Sequence, residues 1–159
     1  MQKITPFLWF DTQAEEAATF YVSIFKDSKI NSVVHYPEAA EAQAGKPAGS
    51  VMTVDFELNG QHFAALNGGP LFKFNESVSF VIDCADQTEV DYYWEKLTAG
   101  GQESQCGWLK DKFGLSWQVV PRQLNELLSN PDQAKVEKVT AAFMQMKKFD
   151  IATLQKAAA

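Results

Sequence analysis

The chain has 159 residues, 46% of them apolar and 21% charged, which fits one globular domain or two small fused halves. Its formal net charge of −6, with no dense stripe of Lys and Arg, excludes a general nucleic-acid binder and disfavours an anionic membrane surface. No apolar run reaches bilayer-spanning length, residues 4–10 are too short and wrongly flanked for a signal peptide, and the expected compartment is the cytoplasm.

Residues 4–10, ITPFLWF, read as an aromatic-rich strand in which Pro6 costs a ladder bond or marks an edge. A helix follows, opened by Thr12 with Glu15 as a capping box, or by Asp11 one residue earlier. Ala14, Ala17, Ala18, Tyr21, Ile24 and Phe25 recur at helical spacing and form one apolar stripe. Lys26-Asp27-Ser28 ends the helix, residues 30–36 read as a second strand, and residues 37–49 read as a long loop.

Asn59-Gly60 between residues 51–58 and 61–67 is a strong hairpin signal. A two-residue turn sets Leu58 opposite Gln61. Met52, Val54, Phe56, Phe63, Ala65 and Asn67 then share one face, and Thr53, Asp55, Glu57, His62 and Leu66 the other. Glu57 falls opposite His62, so a cross-strand ion pair accounts for that histidine more simply than catalysis does. Asn67-Gly68-Gly69-Pro70 is a breaker that marks the boundary between two halves.

Residues 77–84, SVSFVIDC, read as a buried strand. Asp86 with Glu89 is an N-cap signature, Val90, Tyr93, Trp94 and Leu97 repeat at helical spacing, and Gly100-Gly101 ends that helix. A strand from Glu103 leads to residues 107–121, GWLKDKFGLSWQVVP, two strands joined by the turn Asp111-Lys112-Phe113-Gly114. Leu115, Trp117 and Val119 alternate with Ser116, Gln118 and Val120. Trp108 and Trp117 are the aromatic anchors. Gln118 points away from Trp117, either to the surface of an ordinary hairpin or into a cavity. Cys84 and Cys106 form neither a disulfide framework nor a zinc pattern and read as reduced thiols.

The tail from Arg122 is helical, with Leu124, Leu127 and Leu128 before Asn130-Pro131, Pro131 in the first turn of a new helix, and Val136, Val139, Phe143 and Met144 beyond it. Asp150 is a candidate cap for a last turn carrying Ile151 and Leu154. Such a tail packs on its own domain or on a partner subunit. A shift of 73 residues superposes the two main helices, Glu16 on Glu89, Phe20 on Tyr93, Tyr21 on Trp94 and Ile24 on Leu97. The order strand–helix–strand–strand–strand therefore occurs twice.

That repeat resembles the vicinal oxygen chelate superfamily, also called glyoxalase/bleomycin-resistance-like, and within it the PhnB-like family labelled 3-demethylubiquinone-9 3-methyltransferase. The residues that carry the likeness are ITPFLWF at 4–10, AEEAATFYVSIF at 14–25, NGQHFAALNGGP at 59–70 and CGWLKDKFGLSWQVVPR at 106–122. The resemblance implies an α+β fold of two βαβββ modules whose curved mixed sheets form a cup. The glyoxalase-like domain is expected over residues 1–128 (modules 1–70 and 71–121), with a helical extension over 122–159. It also implies a homodimer.

Enzymes of the superfamily bind a divalent metal in the cup through His, Glu or Gln at four strand positions. The resemblance puts those positions at Pro6, Ser79, Gln118 and Ala65 (or Leu66), a set that offers almost no ligand atoms, so no metal is expected. No Gly-rich strand–helix turn of the kind that holds S-adenosylmethionine in a doubly wound fold is visible, since Gly68-Gly69 lead into Pro70 and a loop. The first functional expectation is a metal-free aromatic cup that binds a small organic molecule through Trp9, Asn67, Ser79, Cys106, Trp108 and Gln118. The second is an enzyme on the same cup, a methyltransferase as the family label says, with Cys106 as nucleophile although no His or carboxylate is evidently paired with it. The third is a structural dimer whose cup is filled by its own side chains.

Overall fold

The computed structural model describes residues 2–159 and divides into two units, one ending at Lys73 and the other spanning Phe74–Ala159. Each unit holds its own four-stranded mixed sheet. In the first, β1 (Phe7–Phe10), α1 (Ala14–Ile24), β2 (Lys29–His35), α2 (Glu38–Ala44), β3 (Val51–Leu58) and β4 (Gln61–Asn67) give the strand order β1-β4-β3-β2. In the second, β5 (Ser79–Cys84), α3 (Gln87–Thr98), β6 (Gln102–Glu103), β7 (Trp108–Lys110) and β8 (Ser116–Pro121) give β5-β8-β7-β6. The two orders are the same arrangement, with the first strand parallel to the last and the others antiparallel. This is the α+β, twice-repeated βαβββ architecture expected from the sequence.

The β3–β4 hairpin has the expected register, with Leu58 opposite Gln61 and both turn residues at positive φ, Asn59 at 50° and Gly60 at 79°. Val54, Phe56, Phe63 and Ala65 are buried, as are Ala14, Ala17, Ala18, Tyr21 and Ile24 of the α1 stripe. Tyr21 and Phe56 stack with centroids 6.4 Å apart, and Phe56 on Phe63 at 5.5 Å. In the second unit Ile82, Cys84, Val90, Trp94, Leu97, Leu109, Trp117 and Val119 form the corresponding apolar layer.

Several expectations are corrected. Residues 37–49 are not all loop, because α2 occupies Glu38–Ala44 with no buried residue. Helix α1 starts at Gln13 without a side-chain cap from Asp11 or Thr12. Its first N–H, on Ala14, donates instead to Asn67 Oδ1 at 2.8 Å. Strand β5 is buried on one side only, and Val81 is 60% exposed. Pro131 precedes the N-cap Asp132 rather than entering the helix, and Met144 is exposed.

The tail forms α4 (Arg122–Leu128), α5 (Gln133–Phe143) and α6 (Ile151–Ala158), the last capped by Asp150, which accepts from the Thr153 N–H at 2.7 Å. Its helices gather around Leu124, Val139, Phe149 and Leu154 and belong to the second unit. No helix among the described residues is long and apolar enough to cross a membrane.

Candidate functional site

Strand alternation decides which candidates can meet. In the second unit, Ser79 and Val81 of β5, Ser116 and Gln118 of β8, and Trp108 and Lys110 of β7 share the face turned away from the Leu109–Trp117–Val119 core. Val81 and Trp108 flank Gln118 as its cross-strand partners. Gln118 Nε2 donates to Ser79 Oγ at 2.9 Å. That bond leaves the amide oxygen as an acceptor and the Ser79 hydroxyl proton as a donor, beside an indole. The half-buried Gln118 is therefore a polar group on a partly apolar face.

The turn behind this face is held by Asp111, which is 3% exposed. Its Oδ1 accepts from the Phe113 N–H at 2.8 Å and the Leu115 N–H at 3.1 Å, and its Oδ2 accepts from the Trp117 indole at 2.9 Å. One carboxylate thus fixes both the turn and the buried tryptophan from which β8 alternates. The sequence reading foresaw the turn bond but not the reach to Trp117.

Trp9 lies in the first unit, on the face of β1 away from α1 with Phe7, beside Leu66 of β4. Its indole donates to the Gly69 carbonyl at 2.9 Å and its ring meets Phe72 edge-on at 5.0 Å. The ring also lies over Gly68, where a Cβ would come within 2.3 Å of it.

Two candidates do not join this type of surface. Asn67 stands on the α1 side of β4 and is 6% exposed. Its amide bonds Ala14 on one side and donates to the Val51 carbonyl at 3.1 Å on the other, while its own carbonyl accepts from Tyr36 Oη at 2.6 Å. It is a structural tie. Cys106 sits at φ 57° in the turn before β7, with its Sγ 3.8 Å from the Phe143 carbonyl and its side chain against the tail cluster. It faces away from Gln118's neighbours and carries no evident activating partner. Cys84 is fully buried, and burial pushes its thiol up to about 12, so it stays protonated.

His62 makes the expected pair with Glu57, Nε2 to Oε1 at 3.3 Å, and also approaches Asp55 Oδ1 through Nδ1 at 3.7 Å. Asn31 donates to both carboxylates at 3.2 Å.

The superfamily's metal positions can be read from the registers. Phe10 pairs with Asn67 and Cys84 with Pro121 at the ends of equivalent strands, so Gln118 corresponds to Ala64. The expected counterpart, Ala65, faces α1 and is fully buried, and Leu66 is two residues from Ala64 along the same face. Pro6 precedes β1 and contributes its carbonyl to the Ala64 N–H at 2.9 Å. Ala64 and Pro6 have no side-chain donor, and Ser79 and Gln118 are neutral and bonded to each other. This donor set does not fit a divalent cation.

Comparison with known proteins agrees with the architecture. The family described as 3-demethylubiquinone-9 3-methyltransferase matches residues 2–120. A PhnB protein from Bacillus cereus, named as a 3-demethylubiquinone-9 3-methyltransferase, is 35% identical with a TM-score of 0.67, over 76% of this chain and 99% of that one. A protein from Pseudomonas aeruginosa shares 17% identity with a TM-score of 0.60, over 76% of this chain and 98% of its own. The fosfomycin resistance protein FosX from Mesorhizobium loti shares 14% identity with a TM-score of 0.55, over 82% of this chain and 100% of its own. The last two show likeness of fold alone. No curated protein matches by sequence.

Proposed function

Because this chain belongs to the PhnB-like 3-demethylubiquinone-9 3-methyltransferase family of the glyoxalase, or vicinal oxygen chelate, superfamily, we propose that it binds a small organic molecule without a divalent metal. The surface that supports this reading is the face of the second sheet that carries Ser79, Trp108 and Gln118. The observation that carries it is the Gln118–Ser79 hydrogen bond of 2.9 Å, which presents one acceptor and one donor where the superfamily resemblance puts metal ligands. A carbonyl or hydroxyl group of a ligand matches that pair, and Trp108 matches an apolar or aromatic body.

Native mass spectrometry of the purified protein, with metal analysis on the same sample, tests the proposal. The expected result is an added organic mass and no metal, on the homodimer that the family resemblance implies. Gln118→Ala is expected to lose the added mass. A divalent metal at one per chain that disappears in Gln118→Ala would overturn the reading.

The family description, matched over residues 2–120, favours methyl transfer as a second reading. Calorimetric titration with S-adenosylmethionine separates the two. Saturable binding with methyl transfer to an acceptor would replace the first reading. No heat of binding is expected under it.

A further inference from the structure

A recess of about 130 Å³ opens at the β6–β7 edge of the second unit, lined by Glu76, Gln102, Glu103, Ser104, Trp108, Leu109, Lys110 and Ser116. Its volume is close to the roughly 150 Å³ cavity that holds benzene, so it can take the end of a small molecule. Ser116 is fully buried, and its Oγ has no hydrogen-bond partner among the described residues. Buried hydroxyls are almost always bonded, and this one lines a polar recess.

The charges select the kind of group that would answer it. The lining holds two carboxylates and one ammonium. Lys110, across the strand pair from Ser116, is already bonded to Glu76. Glu103 gives Oε1 to the Trp94 indole at 2.9 Å, and its other oxygen takes no part in that bond. An anion here would meet an excess of negative charge. A neutral alcohol would satisfy Ser116 and leave that excess unanswered. A cation gains the carboxylates, the hydroxyl oxygen and an indole wall, which attracts cations at its face.

We propose that this recess is a subsite for a small primary ammonium group, bounded by Ser116, Glu103, Glu76 and Trp108. The ammonium donates to Ser116 Oγ and to a carboxylate, and competes with Lys110 for Glu76. The recess shares only Trp108 with the Ser79–Gln118 surface, so the inference goes beyond the function proposed above and stands apart from it.

The probe is n-butylammonium, followed by chemical-shift changes in the isotope-labelled full chain, with butyrate and butanol as matched controls. Saturable shifts at the Ser116 amide and the Trp108 indole with butylammonium, and neither control competing, are expected. Glu103→Gln keeps an acceptor for the Trp94 indole while removing the charge, and should weaken binding about tenfold, the loss of one charge-assisted hydrogen bond. Ser116→Ala should also weaken it, in a chain that remains folded because an unbonded hydroxyl is removed. Binding should survive Gln118→Ala, whatever becomes of a ligand held there. Absence of saturable shifts, equal response to butyrate, indifference to both Glu103→Gln and Ser116→Ala, or loss in Gln118→Ala would each overturn the proposal.

Discussion

Helix α1 begins on an amide borrowed from the end of β4, Asn67, whereas α3 begins on the carboxylate just before it, Asp86. Asp86 Oδ1 accepts from the Glu89 N–H at 2.9 Å, and Glu89 reaches back to the Ala85 N–H at 2.7 Å. The second unit settles this helix start within a few residues. The first settles it across 53 residues and ties helix to sheet in the same side chain. Two copies of one topology therefore solve the same problem of orphaned helix N–H groups by different ranges of interaction.

The hairpins reverse the contrast. The β3–β4 turn needs only its Asn-Gly pair, while the β7–β8 turn relies on a buried carboxylate that also holds an indole. Asp111→Ala is the strongest test of that difference. It strips the Trp117 indole and two backbone N–H groups of their acceptor, and about 3–4 kcal/mol of stability should be lost in urea unfolding. A loss below about 1 kcal/mol would mean that this hairpin, too, is set by local turn chemistry. Asn67→Ala comes next, at about 2 kcal/mol, with amide exchange accelerating in both α1 and β4. Asp86→Ala is expected to cost about 1 kcal/mol, with exchange accelerating at the start of α3 alone. If the two cap variants behaved alike, the contrast between remote and local capping would fail.

The smallest effect concerns acid. A hydrogen bond from Lys148 holds the Asp91 carboxyl below the usual carboxylate range, and the Thr153 backbone N–H does the same for Asp150. Carboxyls lowered on folding add stability above their unfolded value of about 3.9, and that stability is lost as pH falls through their lower folded values. Both groups are exposed, so together they contribute less than about 1 kcal/mol. Exchange at the Cys106 and Gly107 amides, which donate to Met146 and Lys147, should quicken slightly below pH 4 relative to the first unit's hairpin.

Much of the architecture was legible because it rests on short-range signals. Asn59-Gly60 and the alternation around it fixed the β3–β4 register, and Asp86 with Glu89 announced α3. Residues 38–44 gave no such signal, since α2 buries nothing and its apolar residues are only alanines. The cap of α1 was invisible because its acceptor lies on another strand. Of the candidate site, Ser79, Trp108 and Gln118 do share one face, as a period of two allows. Asn67 belonged by the same alternation with Phe63 and Ala65 on the covered face, and its polarity was misread as exposure. Cys106 precedes β7, so no strand period constrained it. Ser116 was placed on the correct face, but its lack of a partner emerges only from packing.

The corner at Cys106 and Gly107 also sets an order of assembly. Their N–H groups donate to the Met146 and Lys147 carbonyls at 2.8 Å, and Phe149 covers Gly107, where a Cβ would come within 2.4 Å of its ring. During synthesis the first unit has its whole hairpin, helix and sheet in hand once Lys73 has emerged. The second must wait, with β7 and β8 already made, until the ribosome has released residues 146–154. In that interval Leu124 and Val139 have no Phe149 or Leu154 to close over them. A nascent chain stalled before that point carries one finished half and one that is still open to aggregation and to chaperones.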